Sequence, residues 1–335
     1  MVIVDAHSDY ALHLYREHLK GNRNILKKQH LPFLRKGGVN IEVLTVGGDF
    51  ELFPEFDSQD YSTILKIIKT VKTEISENLD AFCLIRKSSD FEKILNSNKI
   101  GFILALEGSN SIGRDLTLLK NYYERGVRSI ALTHNTRNLL ADGCAENPAK
   151  GLSKLGKDYV KRLNKINVVI DLSHISEPSF WDVMKLIEKA PIATHSNVKA
   201  LCDHPRNLTN DQIKAIAEKN GVIGTNFFSL FVDKKDPSLE RLIDHIDYIV
   251  DLVGINHIGL GPDFLNYYIE DLKSFNEQMT DPFGNVVKLE DIFEVIRDPT
   301  EFPKLFELLE KRGYSDKEIR KIQGDNFLRV YKEIF

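Results

Sequence analysis

The chain has little cysteine, a single tryptophan and no long apolar run, and these shortages exclude whole classes of protein. Its three cysteines, Cys83, Cys144 and Cys202, stand far apart among 335 residues. So scattered and odd a set makes neither a disulfide framework nor a cysteine-rich zinc site, and a reducing cytoplasm is the expected home. No apolar stretch approaches the roughly 18 residues that span a bilayer, so no membrane segment is expected. The start, Met1-Val2-Ile3-Val4-Asp5-Ala6-His7, lacks the basic and apolar regions of a secretory leader. Neither sign of charge dominates: 45 Lys and Arg face 49 Asp and Glu, a net charge of −4. Nucleic acid and an anionic membrane are therefore not expected partners. Asn207-Leu208-Thr209 has the form of a glycosylation sequon, taken as chance without a leader. Linkers, repeats and low-complexity tracts are also missing, so one domain spanning 1–335 is expected.

What is present is a large apolar fraction, 42%, arranged in short runs. Eight runs have strand character: Val2–His7, Val39–Val46, Gly101–Glu107, Ser129–His134, Val168–His174, Pro191–His195, Val222–Asn226 and His257–Gly261. Amphipathic stretches lie between most of them. Ser62–Glu77 carries apolar residues at Ile64, Leu65, Ile67, Ile68, Val71 and Ile75, which is helical spacing. Asp211–Lys219 and Ser238–Val253 follow the same rule, and Gly254-Ile255-Asn256 is a helix stop. Eight alternations at this length predict an α/β fold, a (β/α)8 TIM-type barrel with a C-terminal helical extension. Long loops at 47–61 and 135–155 follow strands and are expected to wall a pocket. The irregular stretch 268–303, before two terminal helices, is expected to cover the barrel or form a subunit contact.

The chemistry centres on Val168–Ser196. There Val-Val-Ile-Asp-Leu-Ser-His and Ala-Pro-Ile-Ala-Thr-His-Ser each end an apolar run on a histidine, His174 and His195. Parallel strands collect ligands at their carboxyl ends, so both imidazoles are placed to share a metal ion. One such histidine alone is usually a satisfied strand-end residue. Two in register, with further donors, are harder to set aside. The first run supplies His7 and Asp9, which point to the same side at i and i+2. The third ends on Glu107, a carboxylate expensive to bury unless it is paired or metal-bound. Zinc accepts imidazole nitrogen and carboxylate oxygen and keeps a position open for water. Two divalent ions about 3.5–4 Å apart can share a carboxylate and hold a hydroxide between them. His7, Asp9 and Glu107 are then expected on one ion, and Glu107, His174 and His195 on the other.

These residues carry a resemblance to the membrane (renal) dipeptidase family of zinc peptidases, and to its soluble bacterial members. The matching pieces include Asp5-Ala6-His7-Ser8-Asp9, Ala105-Leu106-Glu107-Gly108, Leu132-Thr133-His134-Asn135, Asp171-Leu172-Ser173-His174 and Thr194-His195-Ser196. Further pieces are His204-Pro205-Arg206-Asn207, Gly259-Leu260-Gly261-Pro262-Asp263-Phe264 and Gly324-Asp325-Asn326-Phe327. The resemblance implies a metallo-dependent hydrolase barrel, two Zn2+ per chain (or another divalent ion), a homodimer and dipeptide hydrolysis. Its metal ligands fall on His7, Asp9, Glu107, His174 and His195. By the same resemblance His134 contacts the scissile carbonyl, Arg206 binds the substrate carboxylate, and Asp263 moves the proton beside the bridging water.

The chain departs from the family pattern in places. Many members read Gly-x-Asp-Phe-Asp-Gly at the eighth strand, where this chain has Asp263-Phe264-Leu265-Asn266. Many read Asn-Phe-Tyr after the seventh, where this chain has Asn226-Phe227-Phe228. Leu139-Leu140 stands where an aromatic residue is common. The expected activity is hydrolysis of dipeptides by a hydroxide bridging two zinc ions. One rival is a binuclear barrel amidohydrolase acting on cyclic or non-peptide amides, although those usually carry His-x-His on the first strand. The other is a catalytically silent barrel that binds a ligand or scaffolds a partner.

Overall fold

A computed structural model describes residues 2–50, 53–267, 278–280, 283–284, 286–288, 293 and 295–335. Strand β1 (Ile3–Ser8) is buried along its whole length and is followed by α1 (Tyr10–Leu19) and α2 (Leu31–Gly37). Next come β2 (Val39–Gly48), α3 (Tyr61–Glu77), a short β3 (Phe82–Leu84), α4 (Ser88–Leu95) and β4 (Ile100–Glu107). Then follow α5 (Leu118–Arg125), β5 (Val127–Ala131), α6 (Lys154–Leu163), β6 (Val169–Asp171), α7 (Glu177–Met184) and β7 (Ile192–Ala193). The second half continues with α8 (Asn210–Glu218), β8 (Val222–Thr225), α9 (Ser229–Val232), α10 (Leu239–Val253) and β9 (Ile258–Leu260).

The strands pair in the order β1-β2-β4-β5-β6-β7-β8-β9, with β3 alongside the start of β4. Every pair on that path is parallel. Strand β9 lies against β1 across the remaining seam, so the sheet is a nearly closed (β/α)8 barrel of the TIM type. All eight predicted runs find their strand; β3 is the addition.

The helices form where their sequences direct. Helix α3 buries Ile64, Ile67, Ile68, Val71 and Ile75 of the predicted stripe and leaves Leu65 half-buried, and Asp60 caps it by accepting from Thr63 N. Thr209 and Gln212 close a capping box on α8, and Ser238 caps α10. Gly254 ends α10 at φ +89°, where the stop signal sits. The chain closes with helices Phe302–Lys311, Asp316–Arg320 and Asn326–Ile334, a turn between the last two. That is one helix more than the sequence predicts. Much of the expected irregular stretch 268–303 lies outside the described residues: 268–277, 281–282, 285, 289–292 and 294. Its described part includes an antiparallel ribbon, β10 (Gln278–Thr280) with β11 (Val286–Lys288). No helix among the described residues is long and apolar enough to cross a membrane.

The interior decides where chemistry can occur. Val4, Ala6, Ile41, Val43, Ile103, Ala105, Val169, Ile192 and Val222 form one apolar cluster. Side chains drawn from so many strands around a ring can meet only inside it. Phe91 of α4 and Phe327 and Tyr331 of the last helix join that cluster and plug the amino ends of the strands. The carboxyl ends stay open. Close packing there requires glycine at Gly261, where a Cβ would lie 1.7 Å from the Thr194 carbonyl oxygen.

Candidate metal centre

His7 and Glu107 lie at or near the ends of β1 and β4, and Asp9 follows β1 as the first turn of α1 begins. The sequence predicts that His134, His174 and His195 close their strands. Instead β5, β6 and β7 end earlier, at Ala131, Asp171 and Ala193, and the three histidines stand on the loops beyond. Leaving the ladder lets the backbone turn inward. His174 adopts φ +65° and Asp263 φ +64°, a left-handed conformation that a non-glycine residue keeps only where its surroundings impose it.

The side chains converge on Glu107. Its Oε1 lies 2.8 Å from His174 Nε2, 3.2 Å from His195 Nε2 and 3.4 Å from His7 Nε2. His7 Nε2 is also 3.7 Å from Asp263 Oδ1. The His174 and His195 Nε2 atoms face each other at 2.7 Å. Three groups have ligand atoms within 4.8 Å of one another: His7, Asp9 and Glu107; His7, His195 and Asp263; and Glu107, His134 and His174. His134 and Asp263, assigned substrate roles from sequence, thus come within ligand distance of the cluster.

The residues fit divalent ions, and the hydrogen bonds say why. His174 Nδ1 donates to Asn135 Oδ1 at 2.8 Å. His195 Nδ1 donates to Thr194 Oγ1 at 2.8 Å, and that hydroxyl donates in turn to Asp171 Oδ2. Both rings are therefore held as tautomers with bare Nε2 lone pairs. Two lone pairs do not face each other at that distance without a cation or proton between them. Among the described residues, His7 Nε2 and Asp9 Oδ1 are buried with no hydrogen-bond partner. Burial pushes the Asp9 and Glu107 carboxyls well above their ordinary range and holds the imidazoles of His7, His174 and His195 below theirs. His134 is held down to about 3 by burial, with Arg206 and His7 adding to it. A cation reverses the balance for the carboxylates. The donor set is imidazole and carboxylate, a match for zinc.

Arg206 is buried beside this cluster. Its Nη2 donates to the His195 carbonyl at 2.8 Å and its Nη1 to Ser196 Oγ at 3.3 Å, while Nε has no hydrogen-bond partner among the described residues. Asn226 Nδ2 donates to Asp263 Oδ2 at 3.1 Å. The centre opens into a cleft of about 430 Å³ walled in part by Phe50, His134, Phe228, Asp263 and Leu265. Asn135, Asp171 and Thr194 carry the tautomers, yet from sequence they are only parts of quoted runs. A carboxylate inside the apolar run Val168–Leu172 was the available signal for Asp171.

A parallel barrel with buried carboxylates and imidazoles gathered at the carboxyl ends of its strands is the framework of a metal-dependent hydrolase. The chain belongs to the membrane dipeptidase family, peptidase family M19, whose sequence profile matches residues 1–279 and 289–335. It is therefore a metallopeptidase, and dipeptides are the substrates its family implies. Among curated relatives, dipeptidase verJ of Clonostachys rogersoniana is 30% identical over 85% of this chain and 68% of its own length. An uncharacterised dipeptidase of Schizosaccharomyces pombe is 28% identical over 98% of this chain and 80% of its own. Solved structures share the fold. A metallopeptidase from Rhodobacter sphaeroides, liganded with a phosphinate mimic of L-Ala-D-Ala, has a TM-score of 0.83 at 22% identity, covering 100% and 99% of the two chains. An amidohydrolase from Pseudomonas aeruginosa has a TM-score of 0.80 at 24% identity, covering 99% and 96%.

Proposed function

We propose that this chain cleaves the peptide bond of dipeptides at a two-zinc centre held by His7, Asp9, Glu107, His174 and His195. The observation that carries this is the position of Glu107 Oε1, within 3.4 Å of the Nε2 atoms of His7, His174 and His195. When bound, the ions supply Lewis acidity and an ionised water as nucleophile. The protein's own residues do the rest. Asp263, tied by Asn226 and partly open to the cleft, takes the proton of the attacking water and delivers it to the leaving amine. His134, held neutral by burial, donates toward the oxygen of the tetrahedral intermediate. Arg206 binds the free carboxylate of the second residue, and a buried guanidinium at that spot limits the substrate to two residues.

Glu107→Gln tests this reading. The amide keeps the shape but loses the charge that two ions would share. With zinc added, hydrolysis of a dipeptide panel is expected to fall at least about 100-fold. Near-normal turnover would remove the bridging role. The panel includes D-residues at the second position, since the Rhodobacter structure holds a mimic of L-Ala-D-Ala. Hydantoin-like amides are the comparison, and their preferred hydrolysis would favour a non-peptide amidohydrolase. One domain over 1–335 is part of the proposal, supported by Phe327 and Tyr331 sharing an apolar cluster with Val4 of β1.

A further inference from the structure

Phe50, Phe228, Phe231 and Leu265 stand together on the wall of one cleft. All four are partly exposed, so their apolar faces meet whatever enters. The Phe228 and Phe231 rings lie 5.3 Å apart, and Phe50 lies 4.9 Å from the His134 ring. Phe50, Phe228 and Leu265 rise from the loops after β2, β8 and β9, and Phe231 from α9 just beyond β8, one arc of the rim beside the metal cluster. Among the described residues, the acids lining the same cleft are already engaged. Asp9, Glu107 and Asp263 belong to the cluster. Asp49 accepts from Asn110 N at 2.7 Å and from Asn138 Nδ2 at 2.6 Å, and the backbone N–H groups of Ser109 and His134 are also directed at it.

We propose that this arc is the side-chain subsite, and that it selects dipeptides with apolar side chains and rejects charged ones. The proposal rests on the peptidase reading given above. An apolar side chain exchanges water for the phenyl and leucyl faces. A charged one is stripped of water against those faces and finds no free counter-charge among the described residues, which costs more than the apolar contact returns.

The test uses the full chain reconstituted with zinc. Dipeptides share alanine at one position and carry Leu, Phe, Glu or Lys at the other, in both orders. In at least one order, kcat/KM for Leu and Phe is expected to exceed that for Glu and Lys by on the order of 100-fold. Leu265→Asp is expected to shift the Lys-to-Leu ratio about tenfold or more toward Lys, and Phe228→Ser to lower turnover of the Phe dipeptide. Charged dipeptides turned over within about threefold of apolar ones in both orders would overturn the subsite and leave the peptidase intact. Calorimetric binding of the same dipeptides separates the two ideas. Apolar-selective binding without hydrolysis would keep the subsite and remove the peptidase reading.

Discussion

The side-chain oxygen of Asn135 accepts a hydrogen bond from His174 Nδ1 at 2.8 Å and so fixes which nitrogen of that ring faces Glu107. Asn135→Ala removes that anchor and leaves an N–H unpaired in a buried site. Zinc affinity is expected to fall about 10–100-fold while the fold persists. Chelator competition measures it. Unchanged affinity would mean that packing against the tilted ring of His134, with centroids 4.1 Å apart, holds the ring unaided.

Thr194 does the same for His195 through its hydroxyl, which links the ring to Asp171. Thr194→Val keeps the shape and loses the link, so zinc affinity and kcat/KM are both expected to drop about tenfold or more. Thr194→Ser should restore most of each. If Val and Ser variants behave alike, the hydroxyl has no such role.

Asp49 ties three loops by accepting from Asn110, Asn138, Ser109 and His134. Asp49→Ala leaves four donors without their acceptor, that of Ser109 in a buried setting, and is expected to destabilise the chain by on the order of 1 kcal/mol, read from urea unfolding. It should also lower kcat, because His134 loses its backbone anchor.

Asp49 has a pH signature of its own. Burial raises its carboxyl to about 6, against about 3.8 in the unfolded chain. The native state therefore keeps a proton that the unfolded state releases, and stability is lost as pH rises from about 4 to about 6. In chelated protein, the stability of Asp49→Asn relative to the parent is expected to increase over that window and level off above it. A flat difference would show that Asp49 ionises normally.

Chelation should abolish dipeptide hydrolysis and lower the thermal midpoint, since ions that bind only the native state stabilise it by mass action. Added zinc should restore both. Activity that survives exhaustive chelation would rule out the metal chemistry altogether.

The barrel was legible because its signals are local. Eight runs of apolar residues with helical stripes between them can be counted without knowing any contact. The five proposed ligands were legible because parallel strands share a carboxyl end, so residues at strand ends must gather there. Strand ends were less legible. The runs at His134, His174 and His195 stay apolar or polar-neutral past the last ladder bond, and nothing in composition marks where the backbone turns inward. The partners of the rings were hidden for another reason: Asn135 lies 39 residues from His174. A hydrogen bond across such a separation follows from folding, and no spacing rule announces it.

The sequence by itself determined the ring of alternating strands and helices and the residue types gathered at one rim, because periodicity and strand direction are properties of the chain alone. Only the tertiary structure decided which nitrogen each imidazole turns toward Glu107, how closely His134 and Asp263 approach, and that Phe228 and Leu265 share a wall. Those outcomes depend on distances between loops remote in sequence, set by how the barrel packs.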